Sequence, residues 1–201
     1  MAPGLHARSF TVPVDFQVPR PVPATASPST NTAWAAATAM LASYKAGTPV
    51  SVDEAVRQAG GRFEQLLRGN ATLPQFDMAN YLTALGLVAE PLSELNVDKV
   101  HQLLRRYGAL WLTPDYPGVF SLDARIVTGI RGDGTASGTE LLVIEPGSGA
   151  TTAVPLDRLG SAFKQEDRAR PAAGMIAIHW PPDTLAAVSY THLTLPTICS
   201  V

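Results

Sequence analysis

The chain has 201 residues, enough for one domain with a sizeable core or two small lobes sharing one. Its 46% hydrophobic and 16% charged content describes an ordinary globular protein and excludes a disordered or solvating chain. The formal charge is −2, and Lys and Arg are scattered along the sequence. No basic stripe is available for phosphates, so nucleic acid is not expected as a partner. Apolar runs such as Leu141–Ile144 are far too short to cross a bilayer, and no membrane partner is expected. Residues 1–20 lack the unbroken apolar core of a secretory signal. A cytoplasmic location is therefore the default, although secretion by a signal-independent route would leave no trace here. Cys199 is the one cysteine, which excludes an intrachain disulfide and a Cys-rich metal site. Neither a metal nor a cofactor is expected.

In chain order, Phe10–Phe16 alternates like a strand that Pro13 confines to an edge or a bulge. A Pro/Ser/Thr loop spans Pro21–Thr32. Strong helix formers follow over Ala33–Lys45, and Gly47 suits the C-terminal end. The run of alanines with Trp34, Met40 and Leu41 predicts a tightly packed, largely buried helix. Ser51 and Glu54 form a capping box, opening a short helix that should stop at Gly60-Gly61. A further helix is expected over Pro74–Leu85, a brief strand over Leu87–Glu90, and a helix capped by Asn96 or Asp98 that runs to Arg106.

The second half changes character. Ala109–Thr113, Ala124–Ile130, Thr139–Ile144, Thr151–Val154 and Met175–Trp180 read as strands, with a short helix over Leu156–Gln165. Arg131-Gly-Asp-Gly134 is expected to be a hairpin turn rather than an adhesion tripeptide. Gly147-Ser-Gly149 lacks the following Lys-Ser/Thr of a phosphate loop. Helices first and an antiparallel sheet second predict an α+β fold. Residues 187–201 resemble the conceptual translation of a sequencing adapter, so the reading frame is expected to be truncated near Ala186 and the tail to be an artefact. On that expectation Cys199 and His192 carry no functional argument.

Three ordered segments resemble the bacterial papain-like cysteine peptidases. Pro28–Met40 corresponds to the stretch where that family shows Cys-Trp-Ala-Ala-Ala opening a helix. Asp123-Ala-Arg-Ile-Val-Thr-Gly-Ile130 corresponds to its His-Ala-Arg-Val-Val-Thr-Gly-Ile, and Ile144-Glu145-Pro146 to its Asn-Asp-Pro. The resemblance covers about residues 10–180. It implies a papain-like fold, with a helical lobe over about 32–107 packed on a β-rich lobe over about 108–180, in a single domain ending near 186.

In that family a Cys at a helix N-terminus is held as thiolate, a facing His moves the proton, a polar residue orients the ring and an upstream Gln stabilises the oxyanion. Here the resemblance puts Ala33 at the Cys position, Asp123 at the His, Glu145 at the orienting acid and Ser27 at the Gln. It therefore implies a catalytically inactive homologue, a pseudopeptidase that binds a protein or peptide at Trp34, Asp123 and Glu145. One alternative is an active peptidase with an unconventional nucleophile or with sequence errors at the site. Another is a structural module of a larger bacterial effector or toxin.

The remaining polar residues have simpler readings. Ser29 and Thr32 beside Ala33 suit helix-cap and turn hydroxyls. His101 sits in a charged helical context and is expected to be solvent-exposed, His179 reads as a packed histidine, and His6 lies in the terminal segment. If Asp123 and Glu145 approach each other on neighbouring strands, such a pair could do acid–base work or hold a cation. The simpler expectation is a partly exposed pair screened by water.

Overall fold

The computed structural model describes residues 11–92, 95–114, 124–165 and 174–182, with 161–165 described by backbone alone. His6, Phe10, Asp123 and the adapter-like tail with His192 and Cys199 lie outside the described residues.

Helix α1 (Ala33–Ala46) is buried around nearly its whole circumference, with 11 of its 14 residues covered, so it shows no amphipathic stripe. The alanines leave room for neighbours to approach, while Trp34, Met40 and Leu41 fill the gaps between them. Its two buried hydroxyl residues bond the preceding turn: Thr38 Oγ1 donates to the Trp34 carbonyl (2.8 Å) and Ser43 Oγ to Ala39 (2.7 Å). The helix ends at Gly47 in the left-handed conformation (φ 73°), as the sequence predicts.

Helix α2 (Val52–Arg57) starts at Ser51, whose hydroxyl accepts from the Glu54 amide (3.2 Å). The sequence reading stops there, but a further helix, α3 (Gly61–Arg68), follows at once. Gly60 is its N-cap and not merely a terminator: its carbonyl accepts from Phe63 (3.0 Å) and Glu64 (3.3 Å). Helix α4 (Gln75–Leu85) follows, and Arg62 clamps the buried carboxylate of Asp77 with Nε 3.1 Å from both oxygens. Helix α5 (Val97–Tyr107) is capped by Asn96, not Asp98, and buries Val97, Val100, Leu103 and Leu104 at helical spacing.

The strands form one antiparallel sheet in the order β2–β7–β3–β4–β5–β6: β2 (Val88–Leu92), β3 (Leu110–Pro114), β4 (Arg125–Gly132), β5 (Thr139–Ile144), β6 (Thr151–Pro155) and β7 (Met175–His179). Strand β1 (Val14–Gln17) pairs only with the far half of β4, Val14 opposite Gly132, which agrees with the edge role predicted from Pro13. All residues of β3 and β7 are buried, as is most of β4, so both faces of the central sheet are covered. Helices α1 and α5 pack on β3 and β4, and α6 (Leu156–Gln165) lies against β5 and β6. The result is an α+β fold consistent with a papain-like architecture. Strands β1 and β2 come from the first half of the chain yet join the sheet built by the second.

The β4–β5 hairpin is wider than the tight turn expected at 131–134. Gly132 still pairs with Thr139, and the intervening loop is tied by the Asp133 carboxylate, which accepts from the Thr135 amide and hydroxyl (both 2.7 Å). Those two hydrogen bonds hold the exposed Asp133 carboxyl below the usual carboxylate range. A bulge between Val127 and Gly129 shifts the register of β4 against β5. At Gly129 a Cβ would lie 2.8 Å from the Phe16 carbonyl and 2.9 Å from Leu142 Cδ1. Gly129→Ala should therefore push β1 off β4 and lower stability by about 1–3 kcal/mol, read as a reduced urea midpoint with unchanged m.

Candidate functional site

The approach to α1 is a knot of short hydrogen bonds. The Ser27 amide donates to the Pro146 carbonyl (2.7 Å), which ties this loop to the segment leaving β5. The Ser27 hydroxyl is buried and lies 2.6 Å from both Thr32 Oγ1 and the Ser29 carbonyl. A single 3-10 turn over Thr30–Thr32 then leads into α1; the Ser29 hydroxyl caps it, accepting from the Asn31 amide (3.1 Å). Thr32 occupies the N-cap position of α1, yet its hydroxyl makes no capping bond because Ser27 and the Ser29 carbonyl engage it. Ser29 is thus the cap hydroxyl that the sequence suggests, and Thr32 is a bridge between turns.

Ala33 is the first residue of α1 and is almost wholly buried, with its methyl group at the positive end of the helix dipole. Trp34 has no exposed surface. Its indole Nε1 donates to the Ala71 carbonyl (3.1 Å), and its ring meets Tyr81 edge-on at 5.2 Å. Trp34 therefore anchors the 69–73 loop against the start of α1, with its indole edge engaged by the Ala71 carbonyl and no surface exposed. Asn31 adds a second tie to that loop through the Asn70 carbonyl (3.2 Å). Below, Tyr81 and Thr38 share a hydrogen bond (2.8 Å), and burial pushes the Tyr81 phenol far above its usual range.

Glu145 follows β5 directly, and its backbone closes a tight turn: its carbonyl accepts from Ser148 (3.2 Å) and Gly149 (2.7 Å). The Gly147-Ser-Gly149 stretch is thus the turn between β5 and β6. The Glu145 carboxylate pairs with Arg125 Nε at 2.8 Å, both side chains being about one-quarter exposed. Sequence reasoning missed Arg125. The register pairs Ile126 with Ile144, so Arg125 and Glu145 are the next residues beyond that pair; the bulge between Val127 and Gly129 shifts the register and keeps it from being counted off the hairpin turn. Asp123, the expected neighbour of Glu145, lies outside the described residues.

The structure therefore brings Ser27, Ala33 and the Glu145–Pro146 segment to one end of α1. Among the described residues this region offers a methyl group, three hydroxyls committed to other groups and a carboxylate neutralised by a guanidinium. Both described histidines are engaged elsewhere. His101 is half-buried against the Phe16 ring (5.9 Å), which corrects the expected full exposure. His179 is buried, as expected for a packed histidine: it stacks on Tyr107 at 3.6 Å, and its Nδ1 lies 2.8 Å from the Trp180 carbonyl. Its Nε2 faces Glu90 at 3.6 Å, beyond hydrogen-bonding reach. The Lys99 ammonium bonded to Glu90 is the main influence holding that carboxyl below its ordinary range, with His179 a lesser one. Among the described residues no three His, Cys, Asp or Glu side chains cluster as a metal site, and no helix is long and apolar enough to cross a membrane.

A family model described as papain-like cysteine protease AvrRpt2 matches residues 7–160, more than half of the 201 residues. No curated protein matches the chain.

Glu90, away from this region on β2, supplies a pH test of the fold. A carboxyl with a depressed folded pKa adds stability above its unfolded pKa and loses it as pH falls through the folded value. K99M removes the largest cause of that depression, so its melting temperature should drop less than the wild type's between pH 7 and pH 3. The difference should be small, because the pair is partly exposed.

Proposed function

The chain belongs to the papain-like cysteine protease family, and we propose that it is a non-catalytic member that uses the retained scaffold to bind a protein or peptide. The observation that carries this reading is Ala33: the first residue of the buried helix, immediately before Trp34, has no nucleophilic atom. Thiol peptidases need a sulfur at such a helix end, where the dipole favours the thiolate, and an imidazole to move its proton. On the alignment with the family's motifs, Asp123 takes the imidazole's place and Ser27 that of the oxyanion donor.

The nearest hydroxyls do not substitute. Ser27, Ser29 and Thr32 are hydrogen-bonded to one another or to backbone, with neither described histidine beside them. Glu145, at the position of the orienting acid, is paired with Arg125, which favours a structural carboxylate over an acid–base one. The same contacts make a stable platform: Ser27, Glu145 and the turn after β5 are held rigidly around the start of α1. A protein or peptide partner would meet this edge and Asp123, with the Trp34 indole behind it as support.

The test uses a C199S background, so that labelling of the tail cysteine cannot be mistaken for a catalytic thiol. That protein should neither react with an epoxysuccinyl probe nor turn over a broad peptide library. Combining A33C, D123H, E145D and S27Q should raise turnover by about a hundredfold or more over the parent, since triad residues act as a unit. Turnover by the parent that disappears on Thr32→Val or Ser29→Ala would overturn the reading.

A further inference from the structure

At the opposite end of α1 from Ala33, about 20 Å away at 1.5 Å per residue, lies a groove of about 580 Å³. It is walled by the last turns of α1 and α5, the segment after β1 and the Trp180–Pro182 stretch after β7. The volume falls within the range that holds a ligand or a short peptide. Four cations line it, Arg20, Lys45, Arg105 and Arg106, and among the described residues no Asp or Glu does. All four are exposed, and among the described residues none forms an ion pair.

Three of these cations lie over aromatic rings: Lys45 over Trp180 (3.8 Å), Arg20 over Tyr44 (5.1 Å) and Arg106 over Tyr107 (5.2 Å). The rings are themselves fixed from behind. Trp180 Nε1 donates to the Leu41 carbonyl (3.1 Å), and Tyr107 stacks on His179. Tyr44 sits so close to Gly108 that a Cβ there would fall within 2.3 Å of its hydroxyl. Three of the four charges are therefore preorganised on a rigid aromatic floor, with Arg105 beside them. Compensation of the two helix dipoles accounts for Lys45, Arg105 and Arg106 singly. Arg20, from the segment after β1, reaches the end of α1 by donating through Nη1 to the Lys45 carbonyl (3.4 Å). Dipole compensation does not account for the convergence of all four on one groove.

We propose that this groove is a docking site for an acidic peptide segment, separate from the Ala33 end of the helix and independent of whether that end is catalytic. A guanidinium held over a ring at its carbon still carries N–H donors that can receive a carboxylate in bidentate fashion. Arg20 spends one of its own on the Lys45 carbonyl and keeps the rest. The apolar remainder of the floor accepts one large side chain of the same segment. Single-stranded nucleic acid fits less well, because it needs open aromatic faces for its bases and these faces are already covered by cations.

The probe is a fluorescein-labelled peptide of sequence Glu-Asp-Glu-Phe-Glu-Asp-Glu, with Gln-Asn-Gln-Phe-Gln-Asn-Gln and an eight-nucleotide oligothymidylate as comparisons, read by fluorescence anisotropy. The acidic peptide should bind, weaken tenfold or more on R105Q/R106Q, and weaken again in 0.5 M NaCl. Adding R20Q should weaken it further. Arg105 and Arg106 are exposed, so the double variant should fold normally and carries the result by itself. No binding, equal binding of the amide peptide, tighter binding of the oligonucleotide, or indifference to R105Q/R106Q would each overturn the proposal.

Discussion

The structure depends on the near-complete burial of α1. A helix covered around almost its whole circumference cannot shift to accommodate its neighbours, so the groups attached to its two ends are held in register with each other and with the sheet. At its start, Trp34 reaches out to the 69–73 loop and Thr38 locks Tyr81. Near its end, the Leu41 carbonyl takes the Trp180 indole from the far end of the chain. Alanines make this possible: they let β3, β4 and α2 approach the helix closely, and the few large side chains fill what remains.

Around the amino end of the helix, local chemistry and packing favour the same outcome. The hydroxyls of Ser27, Ser29 and Thr32 satisfy backbone groups in a tight turn and one another, which leaves none of them poised to attack a carbonyl. Glu145 has its backbone fixed by the turn after β5 and its carboxylate fixed by Arg125. Such a region is rigid, and rigidity suits recognition as well as it suits catalysis. On the reading proposed above, what separates the two functions is the set of side chains at Ser27, Ala33, Asp123 and Glu145, with the methyl group of Ala33 foremost among them.

At the other end of the helix the charge distribution follows a different logic. Lys and Arg in the last turns of α1 and α5 offset two helix dipoles, and the aromatic rings beneath them spread that charge over a rigid surface. The net charge of −2 conceals this face entirely.

Much of the fold was legible from local rules. The capping box at Ser51, the glycine ends at Gly47 and Gly86, the edge strand marked by Pro13 and the β-branched strands of the second half all depend on residues within one or two turns of each other. The family motifs likewise located the start of α1 and the segment after β5. Helix α3 escaped because Gly60-Gly61 reads as a terminator, whereas α2 already ends at Arg57 with Gln58 as its C-cap and Gly60 caps the next helix. Arg125 escaped because its partner is close only through strand register, whereas the burial of Trp34 followed from the alanine-rich run that surrounds it. The convergence of Arg20, Lys45, Arg105 and Arg106 was equally hidden, since they are scattered in sequence and meet only where two helix ends and the flanks of β1 and β7 come together. Sequence by itself determined what depends on neighbours along the chain: element types, their caps and the absence of sulfur at Ala33. Tertiary structure alone decided which distant side chains meet, because burial and ion pairing are set by contacts between segments that no local pattern specifies.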